Sequence, residues 1–363
     1  MTLSPGSEES PAVRDPGPVL GDRSQLISSR SVRLGDGCED GVRAIDVRSA
    51  GGLSALVLAD RGLDLGPVWA AGWQVSWQST TGIVHPSAFD EGNWLRSFPG
   101  GLLTTCGFQN VGPAVVDGGV SYGQHGRASN LPARNVRHGV VDVAGVLTVE
   151  VSGEIRETDV YGVDLVLHRR LRFPLGLRVV EISDELENRG YEPAAYQLLY
   201  HVNLGWPVVA PSSRLVAPPA EIVGRDEESN SVVEEHARFV EPTRGFPPLV
   251  YEHRLLDPER SRVSVGVAND AFAPTNGIAL TVSYDPRQLP RLWRWRMLAP
   301  GMYLTAIEPA TCSVFGRDVD RAAGELPSLE PGERRTSEIR IDVHLGSELE
   351  ALNDGSIAPE RTR

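Results

Sequence analysis

Glu308 is a carboxylate that interrupts the apolar side of a strand-like segment. The residues at two-residue spacing before it are all apolar: Met302, Leu304 and Ala306. A carboxylate on an apolar face is costly unless it is paired or used, and burial raises its pKa toward the range of a general base. Pro309 follows and is expected to end the strand. A helix-capping role or a salt bridge at the rim is the alternative.

His201 shares one face of another extended segment with two amides, Gln197 and Asn203. Amide and imidazole groups need hydrogen-bond partners and suit a dry core poorly. A bound ligand could supply those partners. The alternative is a structural histidine that is satisfied within the protein.

His125 begins the run His-Gly-Arg-Ala-Ser-Asn and follows two glycine-rich stretches, residues 100–107 and 109–112. Glycine-dense backbone beside polar amides lets a ligand approach the main chain closely. The wider context therefore favours a binding site, although a His-Gly pair alone is expected by chance in a chain with 8 His and 38 Gly.

The remaining histidines give weak support for a metal site, since the chain has neither an H-E-x-x-H nor an H-x-H motif. His85 precedes Pro86 in a loop and stays open as a candidate. The others lie on the polar side of strand-like segments or in polar, turn-like stretches: His168, His344, His138, His236 and His253.

Alternation of apolar and polar residues dominates the chain, and the strands that it predicts must position these groups. In residues 147–155, 165–173 and 336–345, apolar residues recur at every second position with few exceptions, which is typical of half-buried strands in an antiparallel sheet. The pattern predicts a large all-β sandwich. We expect residues 1–24 to form a disordered N-terminal arm, residues 25–346 a single β-sandwich domain and residues 347–363 a polar C-terminal tail.

Composition excludes several classes of function. All 35 basic residues are Arg, so neither a Schiff-base lysine, a lysine-bound pyridoxal phosphate nor a P-loop lysine is available. The net charge of −13 makes nucleic acid an improbable partner. The sequence shows no apolar membrane span and no signal peptide, and its three Cys are widely spaced. We expect a reduced, cytoplasmic protein.

Several short segments occur in a fixed order: Ala-Asp-Arg-Gly-Leu-Asp-Leu at 59–65, Gln-His-Gly-Arg at 124–127, Glu-Asn-Arg-Gly at 187–190, Tyr-His-Val-Asn-Leu at 200–204 and Ala-Ile-Glu-Pro at 306–309. Together they resemble the galactose mutarotase-like (aldose 1-epimerase) superfamily over about residues 35–345. The closer resemblance is to an uncharacterised bacterial family within it that carries Leu-Leu-Thr-Thr-Cys-Gly, here residues 102–107. The resemblance implies a large antiparallel β-sandwich.

The resemblance also implies roles for individual residues. Glu308 matches the general base of the family, His201 its general acid and His125 a histidine that hydrogen-bonds the sugar. Arg61 matches a substrate-contacting or pocket-orienting position. The remaining candidates for substrate binding are Arg127, Asn203 and Gln109, with Asp257 and Asp226 as candidates for the aspartate that binds sugar hydroxyls.

The implied activity is interconversion of the anomers of a free sugar or sugar derivative, with no cofactor and no metal. A carbohydrate-binding protein without turnover on the same fold is the alternative. A third hypothesis, a metal-dependent sugar isomerase, would use His85, His125, His201 and Glu308 as ligands but lacks tight ligand spacing. The expected partner is a small-molecule carbohydrate, and the expected state is a monomer or homodimer.

Overall fold

The structure is a computed structural model that describes residues 17–352. It is built almost wholly from antiparallel strands. The first twelve are β1 (Ile27–Arg33), β2 (Arg43–Ser49), β3 (Leu53–Leu58), β4 (Asp64–Ala70), β5 (Trp73–Gln74), β6 (Trp77–Gln78), β7 (Gly100–Gly101), β8 (Leu103–Phe108), β9 (Val115–Asp117), β10 (Val120–Tyr122), β11 (Arg134–Val143) and β12 (Val146–Thr158).

The second half of the chain continues the same pattern. Its strands are β13 (Asp164–Pro174), β14 (Val179–Asn188), β15 (Ala194–Ala195), β16 (Gln197–Leu204), β17 (Arg214–Val216), β18 (Ala220–Gly224), β19 (Leu249–Leu255), β20 (Val263–Asn269), β21 (Ile278–Tyr284), β22 (Arg291–Ala299), β23 (Met302–Ala310), β24 (Ser328–Leu329) and β25 (Arg334–Leu345).

Helical segments are short. The α-helices are α1 (Glu227–Ser231) and α2 (Arg317–Ala323). The 3-10 turns are Gly17–Val19, Arg23–Gln25, Gly37–Glu39, Pro86–Ala88, Trp94–Ser97, Ala128–Asn130, Val233–Glu235, Ala273–Thr275 and Gly346–Leu352. No helix within residues 17–352 has the length and apolar character needed to cross a membrane.

Three sheets carry the architecture. A five-stranded sheet has the order β1-β2-β3-β4-β5, an eight-stranded sheet β11-β12-β13-β14-β25-β21-β20-β17 and a six-stranded sheet β18-β19-β22-β23-β16-β8. The main core lies between them, because alternate side chains of each sheet point inward. The predicted all-β sandwich is confirmed.

The six-stranded sheet has two different faces. Leu198, Tyr200 and Val202 of β16 point toward the eight-stranded sheet and belong to the main core. The intervening residues point to the opposite face. That face carries a second apolar cluster in which Leu199 packs with Trp293 and Phe98. The candidate functional residues His201 and Glu308 lie on this second face.

The predicted boundaries at the two ends differ from the structure in detail. Residues 1–16 of the predicted arm and 353–363 of the predicted tail lie outside the described residues. Within the predicted tail, the turn Gly346–Leu352 buries Leu349 and Leu352 against Val216 and its neighbours. These two leucines supply enough apolar surface for the turn to pack on the sheet.

Candidate active site

His201 and Glu308 lie opposite each other on the adjacent strands β16 and β23. The register pairs Leu199 with Ala310 and Val202 with Ile307, which places His201 across from Glu308. The atoms His201 Nε2 and Glu308 Oε1 are 3.3 Å apart. The two segments, about a hundred residues apart in sequence, therefore meet at one point of the sheet.

The prediction that Pro309 ends the strand is wrong, because β23 continues to Ala310. Pro309 keeps an extended backbone opposite Leu292 of β22 and lacks only the N–H donor. On its other side, the hydrogen-bonded pairing with β16 is interrupted between Ala310 and Ile307. Glu308 therefore sits inside a central strand, next to a local gap in the hydrogen-bond ladder.

Burial shifts the pKa values of this pair in opposite directions. Burial raises the pKa of Glu308 to about 8, with a hydrogen bond from the Trp295 main chain opposing the shift. Burial lowers the pKa of His201 to about 4, opposed by the Asn203 side chain. Near neutral pH the pair therefore holds one titratable proton, and both side chains are uncharged when this proton is on Glu308.

Two buried atoms of the pair make no hydrogen bond in the described part of the chain. His201 Nδ1 has no partner, and Glu308 Oε1 has only the 3.3 Å contact with His201 Nε2. A buried polar atom without a partner is costly in a structural site. The arrangement therefore favours a site that binds a polar molecule.

His125 lies beside His201, as the sequence predicted. The ring centroids of the two histidines are 6.4 Å apart. His125 adopts a left-handed backbone with φ of 54°, followed by Gly126, where an added Cβ would collide with the Gly107 carbonyl. The turn that directs this imidazole to the site thus requires glycine at position 126.

Aromatic rings surround the two histidines. Phe98 and Trp295 lie with their ring centroids 5.3 and 5.7 Å from that of His201. Trp94 lies 4.8 Å from His125. Such rings exclude water and offer flat apolar surfaces to the C–H faces of a ligand.

Arg61 does not extend a free guanidinium into the site. It is buried and donates to the carbonyls of Ser129, Val84 and Ser97 at 2.8, 2.6 and 2.7 Å. Of the two roles predicted for it, the geometry supports the orienting one. By binding three separate segments, Arg61 fixes the turn that follows His125 and the segment that carries Phe98.

Of the other predicted binding residues, Asn203 contacts the pair directly, whereas Gln109 and Arg127 have other surroundings. Asn203 is buried and donates from Nδ2 to the His201 carbonyl at 3.1 Å, which leaves its Oδ1 without a partner. Gln109 donates to Glu157 Oε1 at 3.0 Å. Arg127 lines a cavity of about 540 Å³. The lining of this cavity includes Arg127, Glu91, Phe89, Asn130 and His85, but not the catalytic candidates.

Neither candidate aspartate has a free carboxylate near the pair. Asp226 caps helix α1 through Ser229 and pairs with Arg225 at 2.6 Å. Asp257 is exposed and lies 3.9 Å from Arg260. The assignment of either aspartate as the hydroxyl-binding residue stays a prediction.

Sequence reasoning missed two charged residues near the site. Arg225 is close enough to lower the pKa of both His125 and Glu308. Glu157 is buried beside Gln109, and burial raises its pKa to about 7. Glu157 continues the apolar parity of residues 147–155, so the signal that identified Glu308 could have found it.

Metal ligands do not gather at the pair. Within residues 17–352, no group of three or more His, Cys, Asp or Glu side chains is arranged to hold a metal ion. His85, a candidate ligand of the metal-dependent hypothesis, instead caps the turn Pro86–Ala88 through Ser87.

Solved structures with the same fold define the class of protein. A Klebsiella pneumoniae protein proposed to be an aldose 1-epimerase superposes with a TM-score of 0.83 and 23% identity, covering 93% of this chain and 96% of that one. A galactose mutarotase-like protein from Clostridium acetobutylicum gives 0.61 and 12%, covering 88% and 99%. A galactose 1-epimerase from Lactobacillus acidophilus gives 0.55 and 13%, also covering 88% and 99%. The fold is that of the galactose mutarotase-like proteins.

The sequence places the chain more narrowly. The profile of the family described as a domain of unknown function, DUF4432, matches residues 39–343. The chain belongs to this family. None of the curated proteins matches the sequence.

The role of His125 can be separated from that of the His201–Glu308 pair. His125→Ala removes an imidazole next to His201 while leaving the pair itself intact. We expect it to raise the KM for a substrate bound at the pair about tenfold or more, the loss typical of a ligand hydrogen bond, with a smaller change in kcat. Steady-state kinetics measures both. Equal losses in kcat and KM, or a loss in kcat alone, would contradict a binding role.

Proposed function

We propose that the protein is a sugar mutarotase that interconverts the anomers of a small carbohydrate by general acid–base catalysis. The observation that carries the proposal is the His201–Glu308 pair, buried at 3.3 Å on one face of a sheet and bordered by His125. Two proton-transferring groups with shifted pKa values, unpartnered atoms and aromatic walls suit a reaction that only moves protons.

The geometry of the pair suits the chemistry of ring opening. The anomeric hydroxyl oxygen and the ring oxygen are bonded to the same carbon, C1, so the base and the acid must stand close together. Glu308 removes the proton from O1 while His201 protonates the ring oxygen. The C1–O bond of the ring breaks as the O1 electrons form the carbonyl. Rotation about C1–C2 and closure on the other carbonyl face reverse both transfers.

The resting proton lies on the carboxyl group, since burial disfavours both charged forms. Its transfer from Glu308 to His201 creates the carboxylate and the imidazolium that the reaction needs. This transfer leaves the total charge of the pair unchanged. Sugar hydroxyls that donate to Glu308 stabilise the carboxylate and so favour the transfer.

The proposal is tested by exchange spectroscopy of anomeric protons over a panel of neutral aldoses, uronic acids and sugar phosphates. At least one sugar should exchange faster with the protein than with buffer. The double variant that combines Glu308→Gln and His201→Asn is the matched control and should return the buffer rate. Sugar binding without accelerated exchange would establish the carbohydrate-binding alternative. Absence of binding across the panel would overturn both.

The pH dependence of the rate follows from the two shifted groups. The productive pair holds one proton, so activity should fall as pH drops below about 4, where His201 protonates beside a neutral Glu308. Activity should also fall as pH rises above about 8, where Glu308 ionises and the pair loses its proton. We therefore expect the pH profile of kcat/KM to be bell-shaped, with a plateau between about pH 4 and pH 8. A rate that continues to rise above pH 9 would contradict the single-proton pair.

A further inference from the structure

Two buried arginines lie on the face of the six-stranded sheet opposite to the catalytic pair. Arg294 and Arg296 are neighbours on one side of β22, and the exposed fractions of the two residues are 1% and 3%. The segment of residues 232–246 covers them. Arg296 also stacks over Phe246 of that segment, with its Cζ atom 5.2 Å from the ring centroid.

The acceptors that these arginines reach are neutral. Arg294 donates to the His236 carbonyl and, from Nε at 3.3 Å, to His253 Nε2. Arg296 donates from one nitrogen to the carbonyls of Glu235, His236 and Arg238, the last two at 3.1 and 3.0 Å. These carbonyls end the turn Val233–Glu235, where a positive charge is favourable. The Glu235 carboxylate itself is more than half exposed.

Other buried arginines of the described chain are fully compensated. Arg169 pairs with Asp64 and Asp184, both at 2.6 Å. Arg61 is compensated differently, because each of its three guanidinium nitrogens donates to a carbonyl. Arg294 and Arg296 are compensated only in part. Each keeps one buried nitrogen without a partner, and the nearest carboxylate that acts on Arg296, that of Glu235, is more than half exposed. Two adjacent buried guanidinium groups with incomplete compensation are unfavourable.

Four buried polar atoms around the two arginines lack partners within residues 17–352. They are Arg294 Nη1, Arg296 Nε, Tyr251 Oη and His236 Nδ1. The Cζ atom of Arg294 lies 5.5 Å from the Tyr251 ring centroid, and the His236 and Tyr251 rings are 6.2 Å apart. The first three atoms carry N–H or O–H hydrogens, and the fourth carries one in the appropriate tautomer. Two of the four atoms, the guanidinium nitrogens, can only donate, and the other two can donate as well.

We propose that this cluster binds a small inorganic anion of the halide class, held between β19, β22 and the covering segment. Unpartnered buried donors beside two positive charges that have no buried carboxylate partner favour a bound negative charge. A water molecule would satisfy individual hydrogen bonds but would leave the charges unbalanced. Arg294, Arg296 and Tyr251 are almost fully buried, which favours a small anion over a larger organic one. The proposal does not depend on the proposed mutarotase activity.

The anion would tie the covering segment to the sheet. Arg294 and Arg296 hold the carbonyls of residues 235–238, while Tyr303 donates to the Val240 carbonyl farther along the same segment. Compensation of the two arginines therefore stabilises the whole cover. Since the anion binds the folded state alone, its binding should raise the melting temperature in a saturable way.

The test compares thermal unfolding of the full chain in sodium chloride, sodium bromide and sodium gluconate at constant ionic strength. Chloride and bromide should raise the melting temperature by roughly 3 °C over gluconate and then saturate. Crystals grown in bromide should show one anomalous peak within hydrogen-bond distance of Arg294 Nη1 and Tyr251 Oη.

Variants locate the effect. Tyr251→Phe removes one donor with little change in packing and should weaken halide affinity several-fold. Arg294→Met should abolish the halide dependence. Arg291→Met is the matched control, since Arg291 lies on the opposite face of the same strand and pairs with Glu252 at 2.5 Å. It should retain the full response. Equal melting temperatures in the three salts, or a bromide-grown crystal without the peak, would overturn the proposal.

Discussion

Replacing Glu308 by Gln, or His201 by Asn, is expected to lower the rate of sugar anomerisation at least about a hundredfold in each case. Gln keeps the shape of Glu, and Asn keeps a polar group near the position of the His Nδ1 atom, but neither amide exchanges a proton in the required pH range. The lost contribution is therefore that of the base or the acid itself. Anomeric exchange measured by nuclear magnetic resonance at saturating sugar gives the two rates directly.

Matched controls separate catalysis from folding and binding. His344→Asn makes the same change in a histidine of β25 that hydrogen-bonds Thr281, far from the pair, and should leave the rate unchanged. The Kd of the sugar for Glu308→Gln should stay within a few-fold of the original. If Glu308→Gln exchanges anomers at a near-original rate, the base lies elsewhere.

Glu308→Gln also has a stability signature that a merely misfolded variant would lack. The unfolded chain ionises this carboxyl above its ordinary pKa of 4.5, whereas the folded chain keeps it protonated up to about pH 8. Between these two pH values the folded state binds more protons than the unfolded state, so the contribution of Glu308 lowers the free energy of unfolding increasingly as pH rises. The variant should therefore gain melting temperature relative to the original protein between pH 5 and 8.

The strands could be predicted because the core is the dominant constraint on them. Residues 165–173 and 336–345 were expected as strands from alternation alone and lie within β13 and β25. A period of two is imposed wherever one face of a sheet meets the core and the other meets solvent. The pattern does not depend on knowing which strands pair.

The partner of each strand could not be predicted, because pairing is decided by contacts distant in sequence. Nothing local to Pro309 reveals that its neighbour Glu308 meets His201 across a gap in the ladder. Nothing local to Arg61 reveals that its guanidinium is occupied by three carbonyls. The monomeric or dimeric state and the cytoplasmic location stay predictions.

The same sequence signal has two physical meanings in this protein. Glu308 and Arg169 both interrupt an apolar strand parity, the first among residues 302–308 and the second among 165–173. Glu308 reaches a neutral histidine and keeps an unpartnered atom, whereas Arg169 reaches two carboxylates. A charged residue in a core position thus marks a buried polar network, and only the partners tell a reactive group from a structural one.

Arg169 links three sheets through the carboxylates of its two ion-pair partners, Asp64 and Asp184. It lies on β13, pairs with Asp184 of the neighbouring β14 and with Asp64 of β4, and is fully buried. Asp64 also accepts hydrogen bonds from the backbone and hydroxyl of Thr105 on β8, and Asp184 accepts one from Tyr200 on β16 at 2.8 Å. Tyr200 precedes His201 on β16 and pairs with Thr105 of β8. The network therefore holds in place the two strands next to His201.

Arg169→Met should therefore lower the free energy of unfolding by about 3–5 kcal/mol, the loss typical of breaking a buried ion pair. Methionine fills most of the volume, so the loss comes from two buried carboxylates left without their cation. Arg170→Met, on the exposed face of the same strand, is the matched control and should change the free energy by no more than about 0.5 kcal/mol. Denaturant unfolding measures both. The deficit of Arg169→Met should shrink on acidification, since protonation removes the uncompensated charge. A deficit below about 1 kcal/mol, or one independent of pH, would mean that the network is dispensable and that packing alone positions β8 and β16.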